Sequence, residues 1–338
     1  MTPHWHRFLE SSEACFAADS DHPLHFGDAA GELQAATTQT LLVPLAHLAV
    51  IEVSGEDAQS FLHSQLTCDI NHLAPNQLQH AGWCTAKGRM QASFLVWRQL
   101  DRYRLIIAAD LLEAAVKRLK MFVLRSKVTL TANSEAILLG LSGEQAGEAL
   151  RDAALAVPET LLTHETRGDD TVLAIDSGRY LLLSVFSSIS QRWPALTAKA
   201  KLAGLPVWRW LDVQAAFPLV TLATKEEFVP QMADFEKIGG VSFHKGCYPG
   251  QEIVARTQYL GKVKRHLFRL SAGVPLVAGD DLYSPDNPDQ SVGKVMTAAP
   301  SPTGGAVALA VVQSNFAGNL RLGSRDGAVL EALAVNPD

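Results

Sequence analysis

The stretch FHKGCYPGQEIVART, residues 243–257, gathers several side chains able to do chemistry. Cys247 stands between Lys245-Gly246 and Pro249-Gly250. Gly246 permits a positive φ or a close backbone approach, and Pro249 suits the first turn of a helix over GQEIVARTQYL that ends at Gly261. Cys247 then precedes a helix N-terminus, where unpaired N–H groups, and Lys245 if its side chain is near, favour the thiolate. The same residues serve equally for a buried, inert cysteine filling a tight turn. In the helix's first turn, Gln251 supplies an amide that donates and accepts, and Glu252 a carboxylate able to accept two N–H bonds. That pair suits a heterocycle with a guanidine-like edge. Helix capping is the plainer role for both, and an i,i+4 surface pair the plainer role for Glu252 with Arg256.

Lys87-Gly88-Arg89 falls at an expected hairpin bend and could attract a carboxylate tail, although charged turn residues usually face water. Lys262, Lys264 and Arg265 form a small basic cluster, read as solvated. Trp208 and Trp210 flank Arg209, and strand alternation places both indoles on one face, either for core packing or as an aromatic wall for a flat ligand. The chain has no G-x-G-x-x-G fingerprint, Walker loop, G-x-S-x-G elbow or H-E-x-x-H, which removes several large enzyme classes. Its four cysteines, Cys15, Cys68, Cys84 and Cys247, form no C-x-x-C pair and show no zinc-type spacing, so neither a disulfide scaffold nor a bound metal is expected. His4, His6, His22 and His25 are assigned to a solvated polar leader.

With 29 basic and 35 acidic residues the formal net charge is -6. General attraction to nucleic acid is therefore not expected, and an anionic ligand must be held locally. The N-terminus has no apolar h-region or small-residue cleavage pattern, and no window offers the roughly 18 apolar residues of a membrane span. A cytoplasmic protein without a membrane partner is the expectation.

The elements that must position these residues come in two similar runs. LAVIEVSGEDAQSFLHSQL (48–66) reads as a strand, a Ser-Gly turn and a helix, and AILLGLSGEQAGEALRDAAL (136–155) repeats that order. Each is followed by a strand pair carrying Arg-Tyr (Arg102-Tyr103 and Arg179-Tyr180) and by a helix, which argues for a duplicated α+β region. Beyond about residue 261 short strands broken by Gly, Pro, Asn and Asp suggest a small β-barrel or jelly-roll-like domain. The expected domains are thus 36–260, two related α+β subdomains, and 261–338, the barrel.

KGCYPGQEIVAR (245–256) closely resembles the K-G-C-Y-x-G-Q-E signature of the YgfZ-type tetrahydrofolate-binding proteins, relatives of the glycine cleavage T-protein. Supporting matches are SGEDAQSFLHSQLTCDI, with Gly55, Gln65, Thr67 and Asp69, then CTAKGRM, SKVTL, FVPQ and GGVSFHKGCY. The resemblance implies a T-protein-like α+β fold, with two intertwined duplicated α/β units around a central channel and a C-terminal β-barrel. It implies tetrahydrofolate or a one-carbon derivative as ligand. It also implies a role in assembly, maintenance or repair of iron–sulfur clusters, with indirect effect on tRNA thiomethylation and with iron–sulfur proteins or assembly factors as partners. On that basis Cys247 is read as a working thiol assisted by Lys245, and Trp208, Tyr248, Gln251, Glu252, Arg256 and Lys87 as folate-binding residues. Departures from the pattern matter. Where the T-protein carries paired aspartates this chain has Ala92-Ser93, so aminomethyl transfer is not expected. Leu48 stands where a pocket tryptophan is usual, and Ala215-Ala216 where Ala-Gly is usual. The alternatives are a folate-dependent aminomethyltransferase or demethylase, and a protein–protein adaptor with a vestigial pocket.

Overall fold

A computed structural model describes all residues except Asp19, Lys262 and 336–338. In chain order its first elements are α1 (Pro3–Ser11), β1 (Cys15–Phe16), β2 (Pro23–His25), α2 (Ala29–Ala35), β3 (Leu41–Pro44), β4 (Leu48–Ser54) and α3 (Ala58–Gln65). There follow β5 (Leu78–Cys84), β6 (Met90–Gln99), β7 (Arg102–Ala108), α4 (Leu112–Val123), β8 (Thr129–Ala132), β9 (Ile137–Ser142) and α5 (Ala146–Asp152). Next are β10 (Thr163–Arg167), β11 (Asp170–Asp176), β12 (Arg179–Ser184), α6 (Phe186–Lys199), β13 (Lys201–Leu202), α7 (Leu205–Gln214) and α8 (Gln251–Tyr259). The last strands are β14 (Arg265–Ala272), β15 (Asp281–Tyr283), β16 (Gly293–Pro300), β17 (Ala306–Gln313), β18 (Leu320–Leu322) and β19 (Val329–Ala334). Contacts group the chain into two units, one of Met1–Ala58, Leu73–Gln79 and Leu95–Trp208, the other of Gln59–His72, His80–Phe94 and Arg209–Asp338.

The duplication is visible in strand order. One sheet runs β5-β6-β7-β4-β8 and the other β10-β11-β12-β9-β3-β13. Each central strand, β4 or β9, pairs on one side with its own hairpin and on the other with a strand that leads into the opposite copy. β8, which precedes β9, pairs with β4, while β3, which precedes β4, pairs with β9. The copies are intertwined by this exchange. The two Ser-Gly turns are equivalent: Gly55 has φ +115° and Gly143 φ +125°, and each abuts the main chain of the exchanged segment. A Cβ on Gly55 would stand 2.0 Å from the Lys127 carbonyl oxygen, and one on Gly143 2.6 Å from Thr40 Cα. Only glycine fits both demands.

The N-terminal segment is no solvated leader. Thr2 caps α1 by accepting from the Trp5 N–H, Pro3 sits in the first turn, and the i,i+4 pair Trp5 and Leu9 is buried beside Leu139, Leu150 and Leu182. Trp5 meets Trp193 of α6 edge-on at 5.6 Å. In the second unit β14-β17-β16-β15-β18-β19 close into a barrel, which leaves no unpaired sheet edge. Alternate residues of β17, Ala306, Ala308, Ala310 and Val312, join Phe268, Leu270 and Val295 in its core.

Candidate functional site

The Cys247 segment belongs to the second unit, and its anchor is Lys245. Helix α3 ends at Gln65, leaving carbonyls without intrahelical partners at its negative end. The Lys245 ammonium, in a residue only 8% exposed, donates to the carbonyls of His63, of Leu66 at 2.6 Å and of Cys68 at 2.9 Å. All three of its N–H groups are thereby engaged. Burial lowers its pKa to about 8, against the opposing pull of Cys68 and Asp69. The expected assistance to Cys247 is replaced by a structural role, since the charge is directed into the α3 terminus. Nζ also lies 5.2 Å from the centre of the Tyr248 ring. Tyr248 is buried too, and burial raises its phenol above the ordinary range. Between these two anchors Gly246 and Cys247 are exposed.

Thr67 ties three stretches to this segment. Its hydroxyl donates to the Gly240 carbonyl at 2.5 Å and accepts from the Gly82 N–H at 2.7 Å, while its own carbonyl accepts from the Ser242 N–H at 2.9 Å. The demanding glycine of the signature is Gly250 rather than Gly246. Gly250 has φ +82° as the N-cap of α8, and a Cβ there would stand 2.3 Å from the Thr85 carbonyl oxygen and 2.7 Å from Gly88 Cα. At Gly246 a Cβ would meet only His63 Nε2, at 3.6 Å. Pro249 lies just outside α8, with Cys247 four residues before its first turn.

Of the expected folate-binding residues, Gln251 is half-buried and Glu252 exposed at the start of α8. Glu252 and Arg256 form no ion pair among the described residues; Arg256 turns instead to a cavity of about 670 Å³. Ile253, Arg256, Thr257 and Leu260, spaced as one helical face, line it together with Lys87, Arg89, Lys264 and Arg265. Lys87-Gly88-Arg89 does form the bend between β5 and β6. Lys264 and Arg265 of the basic cluster therefore line a cavity, while Lys262 lies outside the described residues. Trp208 belongs to the first unit, in α7 rather than a strand. Two residues apart on a helix is a turn of about 200°, so Trp208 and Trp210 face opposite ways. Trp208 is 2% exposed, packed on Gly140 with the Arg179 guanidinium 4.6 Å from its ring centre.

Sequence reasoning missed the convergence of Arg89 with Arg265, and it missed Glu236, which burial lifts to a pKa of about 7, with Asp234 adding to the rise. Neither carries a local signal. At Ala92-Ser93 both residues are buried, and Ser93 Oγ accepts from the Val220 N–H at 2.9 Å. Leu48, half-buried, opens β4. Cys68 and Cys84 are buried, and burial pushes both thiols up to about 12; Cys15 and Cys247 are exposed. Among the described residues no group of three or more His, Cys, Asp or Glu could hold a metal ion, and no helix is long and apolar enough to cross a membrane.

The family model of the GCVT N-terminal domain matches residues 5–161. The tRNA-modifying protein YgfZ of Sodalis glossinidius is 33% identical over 88% of this chain and 92% of its own length. The YgfZ proteins of Yersinia pseudotuberculosis (31%, covering 88% and 91%) and Klebsiella pneumoniae (33%, covering 71% and 75%) are also similar. Among solved structures, the glycine cleavage system aminomethyltransferase T of Bartonella henselae superposes with a TM-score of 0.83 over 98% of this chain and 96% of that one. At 19% identity that likeness shows the fold. The relatives' identity over nearly the whole chain and the fold shared with the transferase together place this protein in the YgfZ family, related to the glycine cleavage T-protein superfamily.

Proposed function

We propose that this protein is a tetrahydrofolate-binding accessory factor for assembly, maintenance or repair of iron–sulfur clusters, working through the Cys247 thiol. Its influence on tRNA modification, the activity for which its relatives are named, is then indirect, through iron–sulfur enzymes that thiomethylate tRNA. The observation that carries this reading is the setting of Cys247: an exposed thiol held between two buried anchors, Lys245 and Tyr248. Aminomethyl transfer is disfavoured because Ala92 has no ionisable group and Ser93 is engaged with a backbone N–H.

The residues present suit the two ends of a folate. Gln251 and Glu252 offer an amide and a carboxylate to the donor-rich edge of a pterin, and Lys87 and Arg256 offer cations to the carboxylates of its glutamyl end. Tyr248 and Trp208 are carried as folate-binding residues on the family resemblance alone, both side chains being buried. When bound, tetrahydrofolate supplies reduced ring nitrogens that can carry a one-carbon unit. Cys247 could contact a cluster, accept a transient mixed disulfide or sense oxidants. Iron–sulfur proteins or assembly factors are the proposed partners, in the cytoplasm.

Calorimetric titration with tetrahydrofolate and its one-carbon derivatives tests the ligand, and complementation of a strain lacking the protein tests the thiol. Cys247→Ser should retain folding and folate affinity while losing support of iron–sulfur enzyme activity. Full complementation by that variant would return Cys247 to a packing role. Absence of folate binding would favour an adaptor, and transfer of an aminomethyl group would favour a transferase.

A further inference from the structure

The cavity beside α8 has an unusual charge balance. Of its thirteen lining residues five are cationic, Lys87, Arg89, Arg256, Lys264 and Arg265, and none is acidic, in a chain whose net charge is -6. Among the described residues none of the five has a carboxylate within ion-pair distance. Arg89 is oriented by donating to the Glu227 backbone carbonyl. Burial, and then the charge of Arg89, lowers the pKa of Arg265, which the Glu227 carboxylate offsets only in part. Like charges held together at partly buried positions oppose folding, and a bound anion would relieve that repulsion. Met232, Ile253 and Leu260 add apolar surface for an organic body, and the volume lies in the range of small-molecule sites.

We propose that this cavity binds a small organic polyanion, one carrying three or more adjacent negative charges. A nucleoside polyphosphate and an oligocarboxylate share that chemistry. The folate reading engages only Lys87 and Arg256 of this wall, and the proposal stands whether or not folate binds. A concave site of this size on an acidic protein selects a compact ligand over the extended backbone of a nucleic acid, which would call for a broad positive face.

Calorimetry on the full chain at low and moderate salt tests this with four probes: ATP, tri-glutamate, inorganic phosphate and a single-stranded RNA oligonucleotide. ATP or tri-glutamate should bind at one site, at least tenfold tighter than inorganic phosphate and more weakly as salt rises; which of the two binds identifies the source of the charge. Lys264→Gln with Arg265→Gln, neither residue being assigned to folate, should weaken that binding at least tenfold and tetrahydrofolate, whose carboxylates are assigned to Lys87 and Arg256, by clearly less. Because Arg265 is half-buried, the exposed single change Lys264→Gln is the control for folding, with a loss of at least threefold expected. No saturable binding of either polyanion, equal binding by the variants, or RNA bound more tightly and not displaced by ATP would each overturn the proposal.

Discussion

Replacing Lys245 with Met keeps the length and apolar stem of the side chain but removes the ammonium from three carbonyls. Those of Leu66 and Cys68 lie 2.6 and 2.9 Å from Nζ, and that of His63 is the third acceptor. Each carbonyl left without this donor costs about 1 kcal/mol, the low end for a buried acceptor because a second lone pair can still find partners, so the loss is about 3 kcal/mol. For a domain of this size that is a fall of roughly 6–12 °C in melting temperature. Denaturant unfolding of the full chain at pH 7 measures it. Raising the pH adds a second readout. Because the folded-state pKa is about 8 against an ordinary lysine value of 10.5, the folded protein binds fewer protons than the unfolded chain between those values, and wild-type stability gains with rising pH there. The gain is on the order of 1 kcal/mol once solvent screening is allowed for, and Lys245→Met should lack it. A loss below about 0.5 kcal/mol at pH 7 would refute the assignment of Lys245 as the tertiary cap of α3.

Ala216 ends α7 at φ +54°, with the Phe217 N–H bonded to the Asp212 carbonyl, a left-handed position that favours glycine. Ala216→Gly should therefore stabilise by about 1 kcal/mol, read as a higher denaturant midpoint. Gly250→Ala combines a positive φ with a Cβ 2.3 Å from a carbonyl oxygen, so a loss of more than about 2 kcal/mol and faster proteolysis near α8 are expected. Glu236, with a pKa raised from 4.5 to about 7, favours the folded state below 4.5 relative to higher pH, a contribution lost as pH rises to about 7. Glu236→Gln should flatten that fall and stabilise the protein at pH 8 by roughly 1–2 kcal/mol after screening, measured by unfolding across pH 4–8.

The sequence by itself carried whatever is written in neighbouring residues. The Ser-Gly turns at Gly55 and Gly143, the bend at Lys87-Gly88-Arg89, the helix after Pro249 and the short strands of the barrel all rest on local conformational preference, and all stand in the structure. The duplicated order of elements was legible for the same reason, as was the family, through KGCYPGQE. Tertiary structure decided which strand completes which sheet, since β3 (Leu41–Pro44) and β8 (Thr129–Ala132) are both four-residue strands with no local signal for the copy they pair with. It turned LPVWRWLDV into α7, where burial of Val207, Trp208 and Leu211 selects a helical face that alternation could imitate. It drew α1 into the core, because Trp5 and Leu9 become a buried stripe only when α6 lies opposite. It gave Lys245 to the carbonyls of His63, Leu66 and Cys68 at and just past the end of α3, and it brought Arg89 and Arg265 to one cavity. Charge and hydrogen-bond partners are set by distances across the fold, and a linear sequence holds no such distance.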